Sequence, residues 1–84
     1  MSLGGERDRG AKADALLRDP LLLEVLQSLR DSYISAWSQS DIADKDKREQ
    51  VFFLLHALTA FEDQLKSISQ SGKLASLQIE NSVR

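Results

Sequence analysis

Large apolar residues recur along the chain at helical spacing, in two long stretches. Leu22, Leu26, Leu29, Tyr33 and Trp37 follow steps of four, three, four and four. Val51, Leu54, Leu58, Phe61, Leu65 and Ile68 follow steps of three, four, three, four and three. The first spacing keeps one face of a 3.6-residue helix apolar, and the second is a heptad seam. A strand would alternate with a period of two, and no segment does. The pattern predicts an all-α fold whose centre is a long antiparallel helical hairpin of residues 20–38 and 44–71.

Punctuation sets the ends of these elements. Pro20, the single proline, suits the first position of a helix and disfavours helical geometry at Asp19, which can then cap the free amides. Residues 6–18 read as a short helix, with Asp8/Lys12 and Asp14/Arg18 in the favourable acid-first order. Gly10 disfavours its early turns by about 1 kcal/mol relative to alanine. Residues 1–5 read as a flexible leader because of Gly4 and Gly5. Asp44 is a candidate cap for the second hairpin helix, with Ser40 or Asp41 as rivals. The short connection between the two long helices makes them antiparallel neighbours. Gly72 is placed as the left-handed terminus of the long helix, leaving 73–84 as a short helix or tail with Glu80–Arg84 frayed.

Two stretches are apolar nearly all round, Leu21–Leu26 and Val51–Leu55. Such helices need cover on more than one side. The short first helix (Leu16, Leu17) and the C-terminal segment (Leu74, Leu77) are expected to cover the first stretch. Nothing evidently reaches the second. Phe52, Phe53, Leu55 and Trp37 are therefore the candidate partner interface, because binding hot spots favour large aromatic anchors. The remaining positions of the two stripes, Leu22, Leu26, Leu29, Tyr33, Val51, Leu54, Leu58, Phe61, Leu65 and Ile68, are the expected core seam. An intramolecular hairpin and an intermolecular bundle would bury the same positions. Homo-oligomerisation is the simplest outcome, since one patch serves both subunits, with no subunit number implied.

Composition narrows the chemistry. With 84 residues the chain makes one small domain with a thin core. It has no cysteine, which excludes disulfides, thiolate metal sites and a cysteine nucleophile. Eleven Lys and Arg stand against thirteen Asp and Glu, a balance unlike that of a general nucleic-acid binder. Lys45, Lys47 and Arg48 are the one basic cluster, and Asp44, Asp46 and Glu49 interleave it. No apolar run approaches a membrane span and no secretory leader is evident, so a cytoplasmic location is expected. His56, the single imidazole, has no carboxylate at three- or four-residue spacing to orient it or share a metal. Glu62 and Asp63 are adjacent on a helix and do not face each other. The serines lack a nucleophile elbow, and the glycines fit neither phosphate-binding pattern. The expectation is a non-enzymatic protein with no cofactor and no metal.

A longer series of signals carries a resemblance: Arg9-Gly10, Ala13, Leu16-Leu17, Asp19-Pro20, Trp37, Lys47-Arg48-Glu49, Leu58 and Gly72-Lys73-Leu74-Ala75. Over Arg9–Ala75 the chain resembles short helical proteins of tailed bacteriophages and prophages, encoded near the head and DNA-packaging genes. The resemblance implies an accessory role in virion assembly or packaging, inside the bacterial host or on the virion, and carries no catalytic residues. The partner would be the protein itself or a larger phage or host protein. Two alternatives differ in kind. One is a packaging factor of small-terminase type contacting DNA through Lys45, Lys47 and Arg48 together with the N-terminal Arg7, Arg9 and Lys12, although the residues before Pro20 are too few for the usual DNA-binding module. The other is a small inhibitor or regulator of a host protein.

Overall fold

The computed structural model describes residues 2–82. The described residues form three helices: α1 (Leu3–Leu17), α2 (Pro20–Ser38) and α3 (Lys45–Ser82). The fold is all-α. Asp19 caps α2 as its side chain predicts, accepting from the amides of Leu21 and Leu22 at 2.9 and 3.2 Å, with Pro20 in the first turn. Asp44 accepts from the amide of Lys47 at 3.1 Å and so caps α3. The α2–α3 connection is closed by Arg48, whose guanidinium donates to the Asp41 carbonyl.

Both chain ends depart from the sequence expectation. The segment read as a leader is helical from Leu3, because Ser2 caps α1 by accepting from Gly5 at 3.0 Å. Met1 lies outside the described residues. At the other end α3 does not stop at Ser71. It continues through Gly72 to Ser82, so the expected separate tail and the fraying from Glu80 are both replaced by helix up to that point. Val83 and Arg84 lie outside the described residues. No described glycine has a positive φ, so Gly72 is not a left-handed terminus.

The reason is a close helix crossing. A Cβ built on Gly72 would sit 2.5 Å from the Cα of Gly10 and 3.1 Å from the Glu6 carbonyl oxygen, and one built on Gly10 would collide with Gly72 in turn. The two backbones touch where neither residue has a side chain. Ala13 and Ala75 are buried beside this contact, and buried Ser69 donates to Asp14 at 3.4 Å. Asp14 also pairs with Arg18 at 3.1 Å, whereas Asp8 pairs with Arg7 rather than Lys12. Small residues at helical spacing, Gly10 and Ala13 against Ser69, Gly72 and Ala75, replace the interdigitated large side chains of an ordinary helix pair.

α1 therefore packs along the C-terminal half of α3, and α2 along the N-terminal half, with little contact between α1 and α2. Leu16, Leu74 and Leu77 do not cover the start of α2. All three are exposed, as are Leu21 and Leu23. The molecule measures 64 × 23 × 14 Å, with a Cα radius of gyration of 18.1 Å. A compact domain of this length would have a radius of about 12 Å. The described helices form a single layer, with none of them packed above or below it.

The glycine contact makes a prediction of sign. Alanine in a helix interior ordinarily gains up to about 1 kcal/mol over glycine. At Gly10 or Gly72 overpacking should outweigh this gain, by about 1–3 kcal/mol of strain. Gly10→Ala and Gly72→Ala should lower the thermal midpoint measured by circular dichroism. Gly4→Ala, with nothing within 4 Å of its Cβ, should hold or raise it. A rise for Gly72→Ala would contradict the crossing.

Candidate functional site

The line of α3 that faces the other helices is not the line expected. Val51 and Leu58 are buried as predicted, and Leu65 and Ile68 are half-buried. Leu54 and Phe61, expected in the seam, are exposed. Their places are taken by half-buried Leu55 and Glu62 and, further along, by Ser69 and Gly72. Glu62 is turned toward α2. It pairs with Arg30 of α2, and both side chains are less than a third exposed. This cross-helix ion pair and the small residues of the α1 crossing set the rotation of α3, which turns Leu54 and Phe61 to one side.

On that side lies a shallow groove of about 410 Å³ between α2 and α3. Leu22, Val25, Leu26, Leu29 and Tyr33 line it from α2, and Leu54, Ala57, Leu58 and Phe61 from α3. None of these residues is charged. A second concavity, formed by Gln50, Phe53, Leu54 and Ala57, shares Leu54 and Ala57 with the groove and extends the apolar strip toward the start of α3. Toward α1 the strip ends. The surfaces beside the α1–α3 crossing mix Glu6, Arg9, Gln64, Ser67 and Ser71 with Ile68 on one flank, and Arg7, Asp14, Lys73 and Ser76 with Ala11 and the two glycines on the other, and Leu16, Leu74 and Leu77 are exposed on the same helices.

The expected interface residues are not all brought together. Phe53 is 62% exposed and adjoins the groove. Phe52 is also exposed, does not line the groove, and has its ring centroid 4.3 Å from that of His56, the two planes tilted by 52°. The two phenylalanine rings meet edge to face at 6.3 Å. Trp37 is exposed near the end of α2, outside the groove. Leu55 is half-buried on the inner side of α3. Of the expected seam, Leu22 and Tyr33 are half-buried, Leu26 is buried, and Leu29 is exposed.

The groove itself was not anticipated. Its signal is the extra apolar residue beside each stripe, Val25 on α2 and Ala57 on α3, which widens the stripe past what one neighbour can cover.

Other candidate chemistry stays dispersed. No group of three or more His, Asp or Glu suited to a metal occurs among the described residues, and none of the described helices is long and apolar enough to cross a membrane. The polar side of α2 holds Gln27 on Asp31 at 2.9 Å and Gln39 on Ser35 at 3.1 Å, hydrogen bonds within one helix with no group converging from another element. Of the basic cluster, Arg48 is held by the connection it closes, while Lys45 and Lys47 are exposed. The chain matches none of the family models, curated proteins or solved structures with which it was compared.

The geometry separates seam from strip by experiment. Leu58→Ala removes a buried side chain and should cost about 2 kcal/mol or more in urea titration. Phe53→Asp alters a side chain that is mostly in solvent, and should leave the far-ultraviolet helical signal intact. Loss of helix in Phe53→Asp would show Phe53 to be core.

Proposed function

We propose that this is a non-enzymatic helical assembly protein, which works by laying the open apolar side of the α2–α3 hairpin against another protein. The observation that carries the reading is the exposure of its anchors. All three phenylalanines and the tryptophan are at least half exposed, and no large side chain is fully buried among the described residues. Fully burying one such side chain is worth about 1.5–3 kcal/mol, and Phe53 and Phe61 lie with Val25, Leu29 and Leu54 along the open strip of α2 and α3, the kind of apolar patch that marks an interaction surface. The groove carries no charge and no convergent polar groups, which suits a protein surface and neither a phosphate backbone nor a reacting substrate.

The phage resemblance supplies the setting: an accessory of virion assembly or DNA packaging, acting in the cytoplasm of the bacterial host or on the virion. Direct DNA contact through Lys45, Lys47 and Arg48 gains no support from the arrangement of the basic cluster, because acids alternate with it and Arg48 is already engaged.

Light scattering over a wide concentration range, with an apolar fluorescent dye added to the same samples, tests the reading. The expected result is a mass above the 9.4 kDa of one chain or, where the mass stays there, dye held by the uncovered strip. A species of one-chain mass that binds no dye would overturn it.

A further inference from the structure

We infer that the occupant of the α2–α3 groove is a second copy of this chain, seated face to face about a two-fold axis to make a four-helix bundle. The inference rests on the assembly reading and names its partner.

Area is the first argument. The chain exposes 6351 Å². A folded monomer of its mass is expected to expose about 5,000 Å². The excess, roughly 1,300 Å² spread over the whole elongated chain, is larger than the approximately 800 Å² that each partner buries in a stable interface of standard size, so pairing on the α2–α3 face would bring the exposure toward the compact value.

Shape is the second. The exposed side of α2 and α3 is half of a bundle: two neighbouring helices with apolar ridges, Val25 and Leu29 on one, Leu54 and Phe61 on the other. Rotating this surface onto itself supplies the two helices that complete it, with the ridges of one copy entering the groove of the other.

Charge is the third. In a two-fold interface each residue near the axis meets its own counterpart, so a charged patch would repel itself. The groove residues are uncharged, and the Arg30–Glu62 pair beside it is internally neutralised and lies outside the lining. The flanks of the α1–α3 crossing carry charged side chains, Arg7, Asp14 and Lys73 on one and Glu6 and Arg9 on the other, whereas the α2–α3 groove carries none, so the contact is assigned to the α2–α3 half.

Sedimentation equilibrium of the wild-type chain and three variants tests this. Val25→Glu and Phe61→Glu each place a carboxylate in the groove, at side chains about half exposed in the single chain. Leu23→Glu introduces a carboxylate at a comparably exposed position outside the groove. The expected result is a wild-type mass of two chains, a twofold fall for Val25→Glu and Phe61→Glu with helicity retained, and no fall for Leu23→Glu.

A wild type of one-chain mass that binds the apolar dye would overturn the second copy and leave the assembly reading standing with a different protein as occupant. The same mass without dye binding would overturn both. A dimer indifferent to Val25→Glu and Phe61→Glu would overturn the assigned face. Should the glutamate variants lose helicity, carbene footprinting of the wild type decides. Leu54, Ala57 and Phe61 should become protected as concentration rises while Leu74 and Leu77 stay labelled, and uniform labelling would refute the face.

Discussion

A layer of helices 14 Å thick can cover each helix along only one line. Every apolar residue off that line must face water or another molecule, and the rest of this structure follows from that limit. α3 is long enough, at 38 residues, to serve α1 and α2 in succession. It meets them along one edge, and its other apolar residues stay uncovered. The buried set is correspondingly small: Ala13, Leu26, Val51, Leu58 and Ala75, two of them alanines. The chain has enough apolar residues for a core but no second layer to enclose them.

Two different packings share the long helix. At the α1 end the helices approach until backbone meets backbone at Gly10 and Gly72, with polar groups on both flanks. That contact gains dispersion from close approach, while Leu3, Leu16, Leu74 and Leu77 of the same two helices stay exposed. At the α2 end the spacing is set by Leu26, Val51 and Leu58 and by the Arg30–Glu62 ion pair, and the stripes are wider than the contact. The helices are in backbone contact at one end of the layer and leave an uncharged groove between them at the other. The binding role we propose rests on α2 and the first half of α3, whereas α1 packs against α3 through the Gly10–Gly72 contact.

Most of the helical content was legible in the sequence. Asp19-Pro20 and Asp44 act as local caps, and their hydrogen bonds are the ones their positions imply. Gly72 misled because helix propensity is a local preference. A glycine that would end an isolated helix becomes an asset where a second backbone needs its space, and the matching signal was Gly10, 62 positions earlier in the chain. The seam was misassigned for a related reason. Leu54 and Leu55 both satisfy a helical stripe, as do Phe61 and Glu62 once Arg30 stands opposite, so periodicity alone does not choose the rotation of α3. The candidate site was half legible. The surplus of apolar residues around Phe52 and Phe53 showed that cover was missing, while the groove depended on that rotation.

The most direct test of the central claim is the thermal unfolding midpoint of the unmodified chain, followed by circular dichroism over a thousandfold range of protein concentration. A core shared between two copies is subject to mass action, so the midpoint should climb steadily with concentration. A midpoint that stays fixed across the whole range would mean that the single layer is stable by itself, and would contradict the account.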